Sequence, residues 1–264
     1  MRALAALLLG GSLLVLVGCA YRPSQLPLPV AEAAVGREAF RKLLGDQGIC
    51  DRAVDAEATV TLDLPWQTGT IGGYLQLMAP GYLKFIGVNP LGQPLMLLGT
   101  DGVDYRYILP AERKLSEGRL AEAAFSSFLP RGFEPRSSYY WLIGRLRPGK
   151  VRIGEVSGDP ETDGLWVKFR YEGEEQSELA LFDPRQRRLL RHLLLAKDGR
   201  TVLEVAYDSY TSGDCPLPGQ VIIRGDNRFG RLVLRLSNWL PADTLTAADF
   251  AVTAPSDFVR IINK

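Results

Sequence analysis

The sequence predicts a mainly β fold of the α+β type. It should be a large curled antiparallel sheet, or unclosed β-barrel, with an N-terminal helix and a mid-chain helical insertion. Three observations carry this prediction. From Asp55 onward apolar residues recur with period two, as in Ala58, Val60, Leu62 and Leu64 against Thr59, Thr61 and Asp63; that is the pattern of a half-buried strand. Such runs return about every ten residues between Gly, Pro and Asp-Gly turns, which is the spacing of a sandwich or barrel. Helical spacing is confined to a stretch before these strands and one between them.

The first element is a leader. Sixteen uncharged residues run from Ala3 to Gly18 behind Arg2. A membrane-crossing helix needs about 20 apolar residues, and this run is shorter and contains Gly10 and Gly11. A charged start, an apolar middle and small residues at the end describe an export signal. Its tail, Leu16-Val17-Gly18-Cys19, resembles the bacterial lipobox. The resemblance implies cleavage after Gly18, a diacylglycerol on the Cys19 sulfur and an acylated Cys19 amine. An unspecialised signal in which Cys19 merely lies near the cut is the alternative. One acyl chain holds a protein to a bilayer only marginally and two or more hold it firmly, which fits a lipidated Cys19. Ala20, not Asp, follows the cysteine, similar to an outer-membrane sorting signal. The expected location is therefore the outer membrane, lipid-anchored, with the body in the periplasm.

The expected organisation is a signal peptide over 1–18, a lipidated cysteine and Pro-rich tether over 19–29, and one domain over 30–264. "YRPSQLPLP" carries three prolines without apolar periodicity and reads as semi-extended. Val30, Ala34, Val35, Phe40, Leu43 and Leu44 follow at nearly helical spacing and Gly45 marks a stop. Strands then run through "GTIGGYLQLMAP", "GYLKFIGVNP" and "PLMLLGTDGVDYRYILP". A helical insertion is expected from about Ser116 to Phe128, with a second in "SSYYWLIGRL". Strands resume at Val151, with hairpin turns at Lys197-Asp198-Gly199 and Asp226-Asn227, for roughly ten in all.

Composition narrows the function. Lys and Arg total 31 against 30 Asp and Glu, so no excess charge attracts nucleic acid. The one histidine, His192, sits in the apolar strand "LLRHLLLA" and reads as a packing or surface residue. A zincin-type site needs two histidines one helical turn apart, and no Gly-x-Ser-x-Gly elbow occurs. Gly144 to Val151 matches a phosphate loop except that Val151 replaces the magnesium-binding hydroxyl; it reads as a turn. Neither an enzyme, a metal nor a cofactor is expected. Cys50 and Cys215 remain as two cysteines in an oxidising compartment and can pair or stay separate thiols.

The leader, tether, N-terminal helix and hairpin series, together with "YLKFIGVNPLGQPLMLLGTDG", resemble the LolA/LolB-type lipoprotein-handling proteins and lipoproteins related to them. The resemblance implies an unclosed barrel covered by helices around an apolar cavity for acyl chains, with acyl chains or client lipoproteins as partners. The strand faces that could line such a cavity carry Leu75, Leu77, Leu83, Phe85, Leu97, Tyr105, Tyr107, Leu165, Val167, Phe169, Leu234 and Leu236; each could equally be solid core. "NPLGQPLMLL" holds Asn89, Pro90, Leu91, Gly92 and Pro94 and no charge. It is either a turn entering a buried strand or an apolar tip that touches membrane or client. A lipoprotein that docks onto an envelope protein complex without carrying lipid is the alternative function.

Overall fold

The period-two segments pair into one sheet of fifteen strands. The structure is a computed structural model and describes residues 23–50, 52–64, 67–120, 134–225 and 230–262. Signal peptide and Cys19 lie outside the described residues. Strands β2 (Val54–Leu64), β3 (Gln67–Met78), β4 (Tyr82–Val88), β5 (Pro94–Thr100), β6 (Asp104–Leu109) and β7 (Lys114–Arg119) form one antiparallel meander. A second meander runs through β8 (Val151–Gly158), β9 (Leu165–Tyr171), β10 (Glu178–Asp183), β11 (Arg188–Leu195), β12 (Thr201–Asp208), β13 (Gln220–Gly225) and β14 (Arg231–Pro241). Antiparallel pairing of β14 with β2, Leu234 opposite Val60, merges the two. The edges are β1 (Leu26–Pro27) against β8 and β15 (Val259–Ile262) parallel to β7.

The helix expected at Val30 is α1 (Val30–Gln47), but its buried face differs from the expected one. Ala33, Gly36, Phe40 and Leu43 are buried, whereas Val30 and Val35 are 86% and 71% exposed. Gly36 explains the choice of face. A Cβ there would lie 2.9 Å from Val156 Cγ1 and 3.1 Å from Leu165 Cδ1, so glycine lets the helix backbone approach the sheet closely. Phe40 then reaches Phe169 and Phe182, each at 5.5 Å between ring centroids.

The expected helix from Ser116 to Phe128 is corrected at its start. Lys114–Arg119 is strand β7, because Leu115 pairs with Ile108 and Glu117 with Arg106 across the ladder, and cross-strand contacts of this kind outweigh the helical preference of "KLSEG". Residues 121–133 lie outside the described residues. The second expected helix is α2 (Pro135–Leu142). Ser137 ties its first turn to Glu134 through N–H to Glu134 O at 3.0 Å and Oγ to Glu134 Oε2 at 2.7 Å. Among the strands beyond the roughly ten expected are β1, β7 and β15, and "PLMLLGTDGVDYRYILP" divides into β5 and β6.

Cys50 and Cys215 form a disulfide across 165 residues, joining the turn after α1 to the loop after β12. Leu146 N–H donates to Gln47 Oε1 at 3.0 Å, Arg145 Nη1 to Cys50 O, and Tyr139 Oη to Arg52 O at 2.8 Å. These contacts fasten α2 and its exit to the end of α1. The strand Arg188–Leu195 is apolar on both faces, and its outer side contributes Leu193 and Leu195 to a buried cluster with Trp166, Leu179 and Leu181. A strand covered on both sides loses its alternation and reads as a continuous apolar run.

Candidate functional site: an apolar cavity beside an exposed loop

Helix α1 covers the inner face of only part of the sheet. Beyond it, between the first meander, β13, β14 and α2, lies a cavity of about 580 Å³, within the roughly 300–1,000 Å³ of ligand pockets. Its walls are Val60 and Leu62 of β2, Ile71 and Leu75 of β3, Leu83 and Phe85 of β4, and Met96 and Leu98 of β5. Tyr107, Ile223, Leu232 and Leu234 complete the sheet side, while Leu120, Trp141 and Leu142 face them. Among the described residues the lining holds no Asp, Glu, Lys, Arg or His; its side-chain polar groups are the hydroxyls of Thr70, Thr100, Tyr107 and Ser138 and the indole N–H of Trp141. Burial and, secondarily, the Glu112 charge raise the Tyr107 pKa above the ordinary phenol value, so it stays neutral. Such walls favour apolar matter and offer no counter-charge to an ion.

Of the residues expected at a cavity, Leu75, Leu83, Phe85, Tyr107 and Leu234 line it. Leu77 and Leu236 belong to the packed core beside it. Val167 and Phe169 are buried in that core, with Leu165 packed against it and against Gly36 of α1. Tyr105 borders an outer groove instead. Leu97 faces outward against Val252, Ile108 and Leu115; the register shift between Gly87 and Val88 turns Met96 and Leu98 inward in its place. The sequence reading missed Val60, Leu62, Met96, Leu98, Leu120 and Ile223, together with Ile71 four residues before Leu75, Leu232 two before Leu234, and Trp141 and Leu142 on α2. The outer groove is larger, about 690 Å³, but it is open and bordered by Asp101, Asp104, Arg106, Glu117, Arg119 and Arg260. Its charge sets it apart from the inner cavity.

The loop between β4 and β5 is a built tip. Asn89 Oδ1 accepts N–H bonds from Leu91 at 2.9 Å and Gln93 at 3.0 Å, and Asn89 Nδ2 donates to Gln93 Oε1 at 2.9 Å. Gly92 takes φ +77°, a left-handed conformation that suits glycine, and its N–H donates to Asn89 O at 2.9 Å. Pro90 is exposed, Pro94 opens β5 opposite Val88, and Leu91 stands 83% exposed. Leu95 and Tyr74 beside it are 44% and 53% exposed. The stretch is a turn leading into β5 with an exposed leucine at its tip.

His192 lies in the packed half. Its Nε2 is 2.6 Å from Glu178 Oε2, both side chains are buried, and its ring stacks on Phe169 with Trp141 at its edge. A buried imidazole with a carboxylate partner is an ordinary core solution for both groups. Gly144–Val151 forms the exit of α2 and the turn into β8.

No family model and no curated relative matches the sequence. The fold does match solved structures. A domain described as an outer membrane lipoprotein-sorting protein from Vibrio parahaemolyticus is 13% identical with a TM-score of 0.53, over 81% of this chain and 94% of that one. The LolA superfamily protein NE2245 from Nitrosomonas europaea is 12% identical at a TM-score of 0.55, over 80% and 97%. A DUF1329 family protein from Desulfovibrio piger is 14% identical at 0.56, over 83% and 97%. An unclosed sheet with helices against one face, matched over four fifths of the chain, means that this protein has a LolA/LolB-like fold.

Proposed function

We propose that the protein is an outer-membrane-anchored lipoprotein, held by a lipidated Cys19, that binds acyl chains in the inner cavity and receives or delivers lipoproteins or lipids. The observation that carries the reading is the cavity's lining, apolar on every wall and free of ionisable groups other than Tyr107 among the described residues. Each methylene moved from water into such a space recovers about 0.8 kcal/mol. The hydroxyls of Thr70, Thr100, Ser138 and Tyr107 can meet an ester or amide but not a charged headgroup. Release requires an equally apolar destination, and the bilayer is one. The lipid on Cys19 keeps that destination within reach, and Leu91 at the tip of a preformed loop gives it an apolar point of contact. The activity is carriage, with no chemical step and no cofactor.

Native mass spectrometry of the chain beginning at Ala20 tests this. The expected result is retained lipid, or stoichiometric uptake of an added long-chain acyl ester. Protein that stays free of lipid under all conditions, yet co-purifies with an envelope protein, would replace this reading with that of an assembly lipoprotein.

A further inference from the structure

The two edges of the unclosed sheet are treated differently. At one edge β1 is two residues long, Pro27 has no N–H to offer, and Arg37 Nε donates to Gly154 O on β8 at 3.3 Å. Short strands, proline and side-chain cover are the usual guards against edge pairing. At the other edge β15, sequence Val259-Arg260-Ile261-Ile262, is twice as long and has no proline, and its one charged side chain, Arg260, is turned to Glu117. Val259, Ile261 and Ile262 are 62%, 40% and 65% exposed, and among the described residues no strand lies beyond β15.

The hydrogen-bond directions of β15 follow from its parallel pairing with β7. Val259 N–H donates to Arg113 O at 2.8 Å, so the backbone groups of Val259 and Ile261 point toward β7. Those of Arg260 and Ile262 point away, because successive residues of a strand alternate. The outward edge therefore offers N–H and C=O at two positions separated by one residue. Only an extended polypeptide meets that pattern, and β15 itself is such a polypeptide.

We propose that β15 pairs antiparallel with β15 of a second copy, about a two-fold axis beside Ile261. Arg260 of each copy then faces Ile262 of the other in a hydrogen-bonded pair, making four backbone bonds. The two Ile261 residues form the closer, non-hydrogen-bonded pair, at about 4.5 Å between Cα atoms. Apolar side chains meet at the axis, as stable cross-strand pairs do. Arg260 meets no like charge, since it faces an isoleucine and is already held by Glu117 at 2.6 Å. A two-fold contact uses both edges at once and closes, so the assembly stops at a dimer.

The test uses the full chain in detergent. Sedimentation should give a dimer. Ile261→Cys should yield a disulfide-linked dimer under mild oxidation, since paired Cα atoms at that spacing fall within the roughly 4.4–6.8 Å a disulfide spans. The parent chain and Val35→Cys, exposed on α1, should give none. Ile262→Pro removes one outward donor per copy and leaves every bond to β7. It should weaken association about tenfold or more with an unchanged circular dichroism spectrum. A monomer at all concentrations, assemblies larger than a dimer, or a dimer indifferent to Ile262→Pro would each overturn the proposal.

Discussion

One sheet covers two different interiors. Under α1 the second meander is solid: Phe40, Phe182, Leu189, Leu203 and Val205 have no exposed surface. Toward β2–β5 the same alternation of apolar and polar residues leaves Val60, Leu62, Ile71, Leu83, Met96 and Leu98 half-buried around a hollow. Inward-facing residues are apolar in both halves, and the helix over them is what differs. Where Gly36 admits α1 against β8 and β9, Phe40 and Leu43 fill the sheet. Beyond α1, α2 places Trp141 and Leu142 across the space without filling it. The size of the hollow is set by how far one helix extends over the sheet.

The contrast is broken most severely by emptying the filled half. Phe40→Ala removes a fully buried ring that touches Phe169 and Phe182 and should cost about 3–5 kcal/mol, read as a lowered urea midpoint at unchanged slope. Next in size is the covalent link that holds the end of α1. Cys50→Ser together with Cys215→Ser opens a cross-link spanning 165 residues and should cost about 2–4 kcal/mol. Because Gln47 and Cys50 also position the exit of α2 through Leu146 and Arg145, the double variant should also loosen the cavity's α2 wall. Faster amide exchange in residues 139–146 would check this.

Added bulk separates the halves further. Gly36→Leu forces a side chain into Val156 and Leu165. Overpacking of this kind costs about 1–3 kcal/mol, offset by up to about 1 kcal/mol of helix propensity. Leu98→Trp points the extra volume into the cavity and should change stability by less than about 1 kcal/mol, since the space is already present. The same substitution should abolish lipid uptake in the native mass spectrum. A Leu98→Trp protein that unfolds like Gly36→Leu would show the cavity to be packed in solution.

These differences mark what the sequence could convey. The meanders, α1, α2 and the pairing of Cys50 with Cys215 are local or composition-bound features, and each had a signal in spacing, turn residues or redox context. The buried face of α1 had a misleading one: Val30 and Val35 outrank Ala33 and Gly36 in hydrophobicity, and only close approach of two backbones reverses the choice. Strand β7 was hidden because its stability comes from Ile108 and Arg106 on a neighbouring strand. For the cavity, Leu83 and Phe169 look alike in sequence. Whether an inward residue meets a phenylalanine or empty space is decided by a helix some forty to one hundred and thirty residues earlier in the chain. In "PLMLL" a continuous apolar run carries no parity, so Leu97 and Leu98 could exchange faces until the register shift at Gly87 fixed them.

The smallest effect on stability is expected outside both halves, at the tip. Leu91 is 83% exposed, and the loop's shape is held by Asn89 and Gly92, not by the leucine side chain. Leu91→Asp should therefore leave the unfolding midpoint within about 0.5 kcal/mol of the parent and leave lipid uptake by the cavity unchanged. If the tip is the point of contact with a bilayer, a charge there must be desolvated on each encounter. Transfer of bound lipid to vesicles should then slow while uptake does not. Uptake and transfer falling together would place the tip's role at the cavity mouth. Transfer unaffected would remove the loop from the mechanism and leave the proposed lipid on Cys19 as the source of proximity.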